Sequence, residues 1–154
     1  MTSLADLLNR ETGLVSQFVT LLEHEQEALQ SGTPGSLEAI SEEKNVLVGQ
    51  LNQLETERGT LVAPSANADD RSGMKAWLAQ HPQDKHIPPL WEKLNTLARQ
   101  AKALHEINGQ LIEIHLSRTS AALAILEQHK QQHSLYGSDG QASAPTGSRI
   151  VDSA

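Results

Sequence analysis

The sequence predicts an all-α fold: an elongated antiparallel helical bundle in which a helical hairpin packs along one long C-terminal helix, with a short connector helix and a flexible tail. Three observations predict it. The stretch from Pro88 to His133 opens on Pro88-Pro89, holds no further proline and has Gly109 as its only glycine. Two shorter stretches, about residues 3–30 and 36–63, carry helical apolar stripes and are joined by a Pro-Gly turn. Aromatic content is 3%, low for a compact β-sandwich and typical of a Leu/Ala-rich helical protein. At 154 residues the chain reads as one domain, residues 1–134, followed by a tail, residues 135–154.

The first helix is predicted over about 3–30. Ser3 is its N-cap, with Asp6 three residues on forming an approximate capping box and favouring the helix dipole. Leu4, Leu7, Leu8, Leu14, Val15, Phe18, Leu21, Leu22, Ala28 and Leu29 form its stripe, interrupted by Glu11 and Glu25. Ser31 to Ser36 is a turn, and Ser36 is the expected cap of a second helix over about 36–63 that stops before Pro64. Its stripe is Leu37, Ile40, Lys44, Leu47, Leu51, Leu54, Arg58 and Leu61. Folding the chain about Pro34-Gly35 places Glu25 opposite Lys44, Phe18 opposite Leu51 and Glu11 opposite Arg58. Opposite charges at these seam positions read as devices that fix register. A catalytic Glu/Lys pair is the sharper alternative, but nothing nearby supplies a nucleophile or a cofactor loop.

Residues 64–87 form a connector rich in Ser, Asn, Asp and Pro, with a short helix at about 73–80. Trp77, with Met74 and Leu78, is expected to cap the end of the bundle, as is Trp91. The long helix is predicted over about 88–133, roughly 69 Å at 1.5 Å per residue. Its stripe runs Leu94, Leu97, Ala101, Leu104, Asn108, Ile112, Leu116, Thr119, Leu123 and Leu126. From Leu104 onward the period is about 3.67, which suits a nearly straight helix. An Asn in the seam specifies register; Gly109 beside it lets another helix approach closely or accommodates a slight bend.

Charge is uneven. Residues 1–63 hold ten acidic and three basic groups, whereas residues 64–154 hold nine of each, so the net −7 lies on the first part of the chain. A nucleic-acid partner wants clustered Lys and Arg and is not expected. The acidic surface reads first as a solvated face and second as a docking surface. The absence of cysteine excludes disulfides and thiolate–metal sites. No signal peptide and no membrane-spanning run are seen, so a cytoplasmic protein is expected.

No catalytic, cofactor or metal site is expected. His129 and His133 are spaced i, i+4, but the stretch lacks the glutamate of HExxH and a third ligand. His105-Glu106-Ile107-Asn108-Gly109 resembles the phosphoacceptor segment of histidine phosphotransfer domains, but Asn108 stands where that family has lysine. There is no P-loop, dinucleotide fingerprint or nucleophile elbow.

Three segments taken in order carry a broader resemblance: Ser41-Glu42-Glu43-Lys44, Asn108-Gly109-Gln110-Leu111-Ile112 and Leu135-Tyr136-Gly137-Ser138-Asp139-Gly140-Gln141. Together with the length and helix order, they resemble the flagellar export chaperone family FlgN over nearly the whole chain. The resemblance implies a cytoplasmic chaperone for hook–filament junction proteins that binds their disordered C-terminal helical segments and delivers them to the flagellar export apparatus. It also implies that Tyr136 docks on the export gate. The long helix is predicted to extend roughly 27 Å past the hairpin, exposing Leu116, Leu123, Ile125 and Leu126 to a client's amphipathic helix. Coverage of that stripe by the connector helix or by a second copy, giving a homodimer, is the alternative. A coiled-coil adaptor without chaperone role and phosphotransfer at His105 are the rival functions.

Overall fold

The computed structural model describes residues 2–63 and 70–136, without the side chains of 70–72 and 134–136. Among the described residues four helices follow one another: α1 (Leu4–Ser31), α2 (Leu37–Val62), α3 (Asp70–Gln80) and α4 (Ile87–Tyr136), with a 3₁₀ turn at Pro34–Ser36. No strand occurs among the described residues. The chain divides into two compact units, Met1–Leu111 and Ile112 onward.

Helix α1 begins where the sequence asks it to. The Ser3 hydroxyl accepts from the Asp6 N–H at 3.1 Å, and the Asp6 carboxylate accepts from the Ser3 N–H at 3.3 Å, which completes the capping box. The helix ends on Gly32, whose φ of 71° is left-handed and costs glycine nothing. Ser36 does not cap α2. The 3₁₀ turn starting at Pro34 runs straight into the helix and leaves Ser36 already right-handed, with no side-chain cap bond; its hydroxyl donates to the Thr33 carbonyl at 3.3 Å instead. A capping side chain needs the extended backbone that Ser3 has, so the turn's geometry overrides the residue preference. Helix α2 ends at Val62, and Ala63, with φ −147° and ψ 71°, leaves the right-handed region that a following proline disfavours.

Helix α3 starts three residues earlier than predicted and packs by Gly73 against the end of α2. A Cβ added at Gly73 would meet Val62 Cγ2 at 3.4 Å. The His81 ring stacks on Trp77 with centroids 4.0 Å apart and closes the end of α3. Pro88 and Pro89 sit in the first turn of α4, where the missing N–H groups have no helical partner to lose. At its other end α4 reaches Tyr136, so its last two residues lie in the stretch predicted as tail; the rest of that stretch lies outside the described residues.

The core of the first unit joins Leu4, Leu8, Val15, Val19 and Leu22 of α1 to Met74 of α3 and Ile87, Leu94 and Ala101 of α4. Phe18, Leu51, Trp77, Leu78 and Trp91 are half-buried against it. Helix α2 buries Ile40, Leu47 and Leu54, but Leu61, predicted on its stripe, is exposed near the helix end. Helices α1 and α2 run antiparallel. Helix α4 enters this unit parallel to α1: its early Trp91 shares Arg58 with Glu11, and its later Asn108 reaches Leu22 and Glu25.

Candidate functional site

Polar side chains on the helix seams of the first unit answer one another at two levels. At the lower level Arg58 Nε donates to Glu11 Oε2 at 2.7 Å, and the guanidinium lies 4.8 Å from the centre of the Trp91 ring. Both charged side chains are buried, at 6% and 3% exposure. A cation over an indole face adds a favourable contact from α4 to a pair supplied by α1 and α2. At the upper level Lys44 Nζ lies 3.0 and 3.2 Å from the two oxygens of Glu25. Asn108 Nδ2 donates to Glu25 Oε1 and to the Leu22 carbonyl, each at 2.9 Å. One carboxylate thus links α1, α2 and α4. The amide orientation follows from its partners, since a flipped Asn108 would set its oxygen against two acceptors. In the orientation found, Asn108 Oδ1 is buried and without a hydrogen-bond partner among the described residues.

Gly109 does not serve a close approach: a Cβ added there would meet no neighbouring atom within 4 Å. His105 is exposed on α4, while Asn108, at the place of the phosphotransfer lysine, is turned inward and 1% exposed. Its amide is committed to α1 and does not serve a group on His105. His129 and His133 are exposed, with ring centroids 6.5 Å apart. No group of three or more His, Asp or Glu able to hold a metal forms among the described residues, and no helix there is long and apolar enough to cross a membrane.

The second unit differs in kind. Its described part is the stretch of α4 from Ile112 to Tyr136, and its large apolar side chains face solvent. Leu116 is 64% exposed, Leu123 56%, Ile125 64% and Leu126 63%; Ile112 and Ile114 are also exposed. Leu116, Leu123 and Leu126 share a face with Ile112. At about 100° per residue Ile125 lies on the opposite side, roughly 180° from Leu116, and shares its face with Ile114. Ile125 therefore does not belong to the single stripe drawn from the sequence. Ile112 and Ile114 were not singled out as site residues, although the spacing of 11 residues between Ile114 and Ile125 is three helical turns and marks the second face. A helix segment that is apolar on two sides ordinarily has both sides covered. The Tyr136 backbone is the last residue of α4, and its side chain lies outside the described residues.

The described residues form a helical bundle with a polar-stitched core, continued by a helix whose large apolar side chains are exposed. The sequence comparisons place it further: the FlgN protein family pattern matches residues 1–144, and the chain belongs to that family. It is 29% identical to the flagella synthesis protein FlgN of Salmonella typhimurium over 145 residues, 93% of this chain and 92% of that protein. The proteins of the same name from Escherichia coli K12 and Proteus mirabilis are each 28% identical, covering 93% and 92% of this chain and 92% and 91% of theirs. No solved structure matches the chain significantly.

Proposed function

We propose that this protein is a non-enzymatic chaperone in flagellum assembly, acting in the cytoplasm on hook–filament junction proteins. It binds their C-terminal helical segments before assembly and hands them to the flagellar export apparatus. The observation that carries this reading is the exposure of Leu116, Leu123 and Leu126 along one face of α4, with Ile114 and Ile125 on the other. An amphipathic client helix laid along the first face removes its apolar stripe from water, the helix-in-groove mode. The second face gives room for a second client segment, so one α4 can be clasped from two sides. The names of the relatives, flagella synthesis proteins, support the setting. Tyr136, at the end of α4, is the proposed docking residue for the export gate; a phenol offers an apolar body with a polar tip. The buried charges Glu11, Arg58, Glu25 and Lys44, with Asn108, act in this reading to hold the bundle in one register.

The test is a calorimetric titration of the full chain with a C-terminal peptide of a hook–filament junction protein, with helicity followed in parallel. Saturable binding with a gain in helix and a negative heat-capacity change marks coupled folding on apolar surface. The absence of binding at high peptide concentration would reject the chaperone reading in favour of an adaptor.

A further inference from the structure

On the side of the hairpin formed by Gln17–His24 of α1 and Ile40–Gln50 of α2, a shallow groove of about 860 Å³ runs between the helices. Its floor is apolar: Leu21, Ile40 and Leu47 are buried, and Val46 stands on its edge at 61% exposure. Its charged lining among the described residues is Glu42 and Glu43, with no lysine or arginine. The wider surface has the same sign. Residues 1–63 hold ten acidic groups against Arg10, Lys44 and Arg58. Lys44 is committed to Glu25 and Arg58 to Glu11 inside the bundle. Taking two of each charge away leaves eight carboxylates against Arg10 alone. The internal ion pairs therefore leave Arg10 as the one Lys or Arg of residues 1–63 that is not paired with Glu11 or Glu25.

We propose that this groove is a second docking surface, separate from the exposed faces of α4, and that its occupant is a cationic amphipathic helix of another protein. Such a helix lays an apolar stripe over Leu21, Ile40, Val46 and Leu47 and sets lysine or arginine against Glu42 and Glu43. Complementary charge raises the rate of encounter and selects the partner. A second copy of this chain seated hairpin to hairpin would bring two carboxylate-rimmed faces together, so charge disfavours it. The inference does not depend on the identity of the client bound by α4.

The probe is a short synthetic helix with one leucine face flanked by lysines, compared with its counterpart carrying glutamates at the same flanks. Both are titrated into the full chain by fluorescence anisotropy, and amide shifts are mapped by NMR. The lysine peptide is expected to bind, to move the amides of Val46 and Gln50, and to weaken as salt rises to about 0.3 M. The double substitution Glu42→Lys, Glu43→Lys should cost about tenfold or more in affinity. Val46→Asp, at an exposed position that leaves the melting temperature unchanged, should abolish the shifts. Equal binding of the two peptides, shifts confined to residues 112–136, or an unchanged affinity after charge reversal would each overturn the proposal. So would a sedimenting dimer that Val46→Asp dissociates, since the occupant would then be a second copy.

Discussion

The two units spend their residues differently. In the first, charges placed on apolar seams are answered across the bundle: Glu11 by Arg58, Glu25 by Lys44 and Asn108. In the second, leucine and isoleucine face water on two sides of one helix. A chain under no demand but stability would bury the second set and dispense with the first. Buried ion pairs add little net stability over apolar side chains of similar volume, and exposed apolar surface adds none. Both choices become intelligible if the first unit is built to be specific and the second to be covered by something else.

The contrast breaks most severely at the lower seam. Glu11→Ala removes the carboxylate paired with the buried Arg58 guanidinium and should cost about 3–5 kcal/mol in urea unfolding. Replacing both by Met should be nearly neutral, and a double-substitution cycle separates the two. A double Met variant that still costs more than half of what Glu11→Ala costs would contradict a purely register-fixing role. Next in size is Asn108→Ala, which takes one donor from Glu25 and should cost about 1–3 kcal/mol. Helix α4 should then lose amide-exchange protection around Leu104 relative to α1.

In the second unit the sign of the effect changes. Leu123→Asp with Leu126→Asp should alter unfolding free energy by no more than about 0.5 kcal/mol, as expected of exposed sites, while removing client binding in the calorimeter. Unfolding of this variant would show that the stripe is core. The smallest effect lies at the start of α1. The Ser3 hydroxyl, and then the Ser3 backbone N–H, hold the Asp6 carboxyl below its ordinary 3.8. A carboxyl with a lowered folded pKa contributes stability above its unfolded value and loses it as pH falls through the folded one. Ser3→Ala should therefore move the Asp6 titration midpoint, followed by carboxyl NMR, upward toward 3.8.

Much of the first unit was legible in the sequence. Regular apolar stripes make a charged seam residue conspicuous, and folding about a Pro-Gly turn pairs Glu25 with Lys44 and Glu11 with Arg58 by counting alone. The third partner was not legible by counting. Asn108 reaches Glu25 and Leu22 across 83 and 86 residues, and nothing local to α4 says which neighbour its amide will meet. Trp91 lies over Arg58 for the same reason: its partner depends on how α4 enters the bundle. Ser36 misled because a serine before a helix signals a cap only when the backbone there is extended, and Pro34 had already set the turn. Ile125 misled because it was grouped with its neighbours by hydrophobicity, while its angular position puts it on the other face.

The central claim is that the client segment binds along the exposed α4 faces of the second unit and not on the hairpin of the first. It is tested most directly by amide hydrogen exchange on the full chain, with and without a saturating C-terminal peptide of a hook–filament junction protein. Protection that rises across Ile112–Tyr136, with α1 and α2 unchanged, is the predicted result. Protection that rises in α1 and α2 instead, or exchange in Ile112–Tyr136 that is already slow without the peptide, would contradict it.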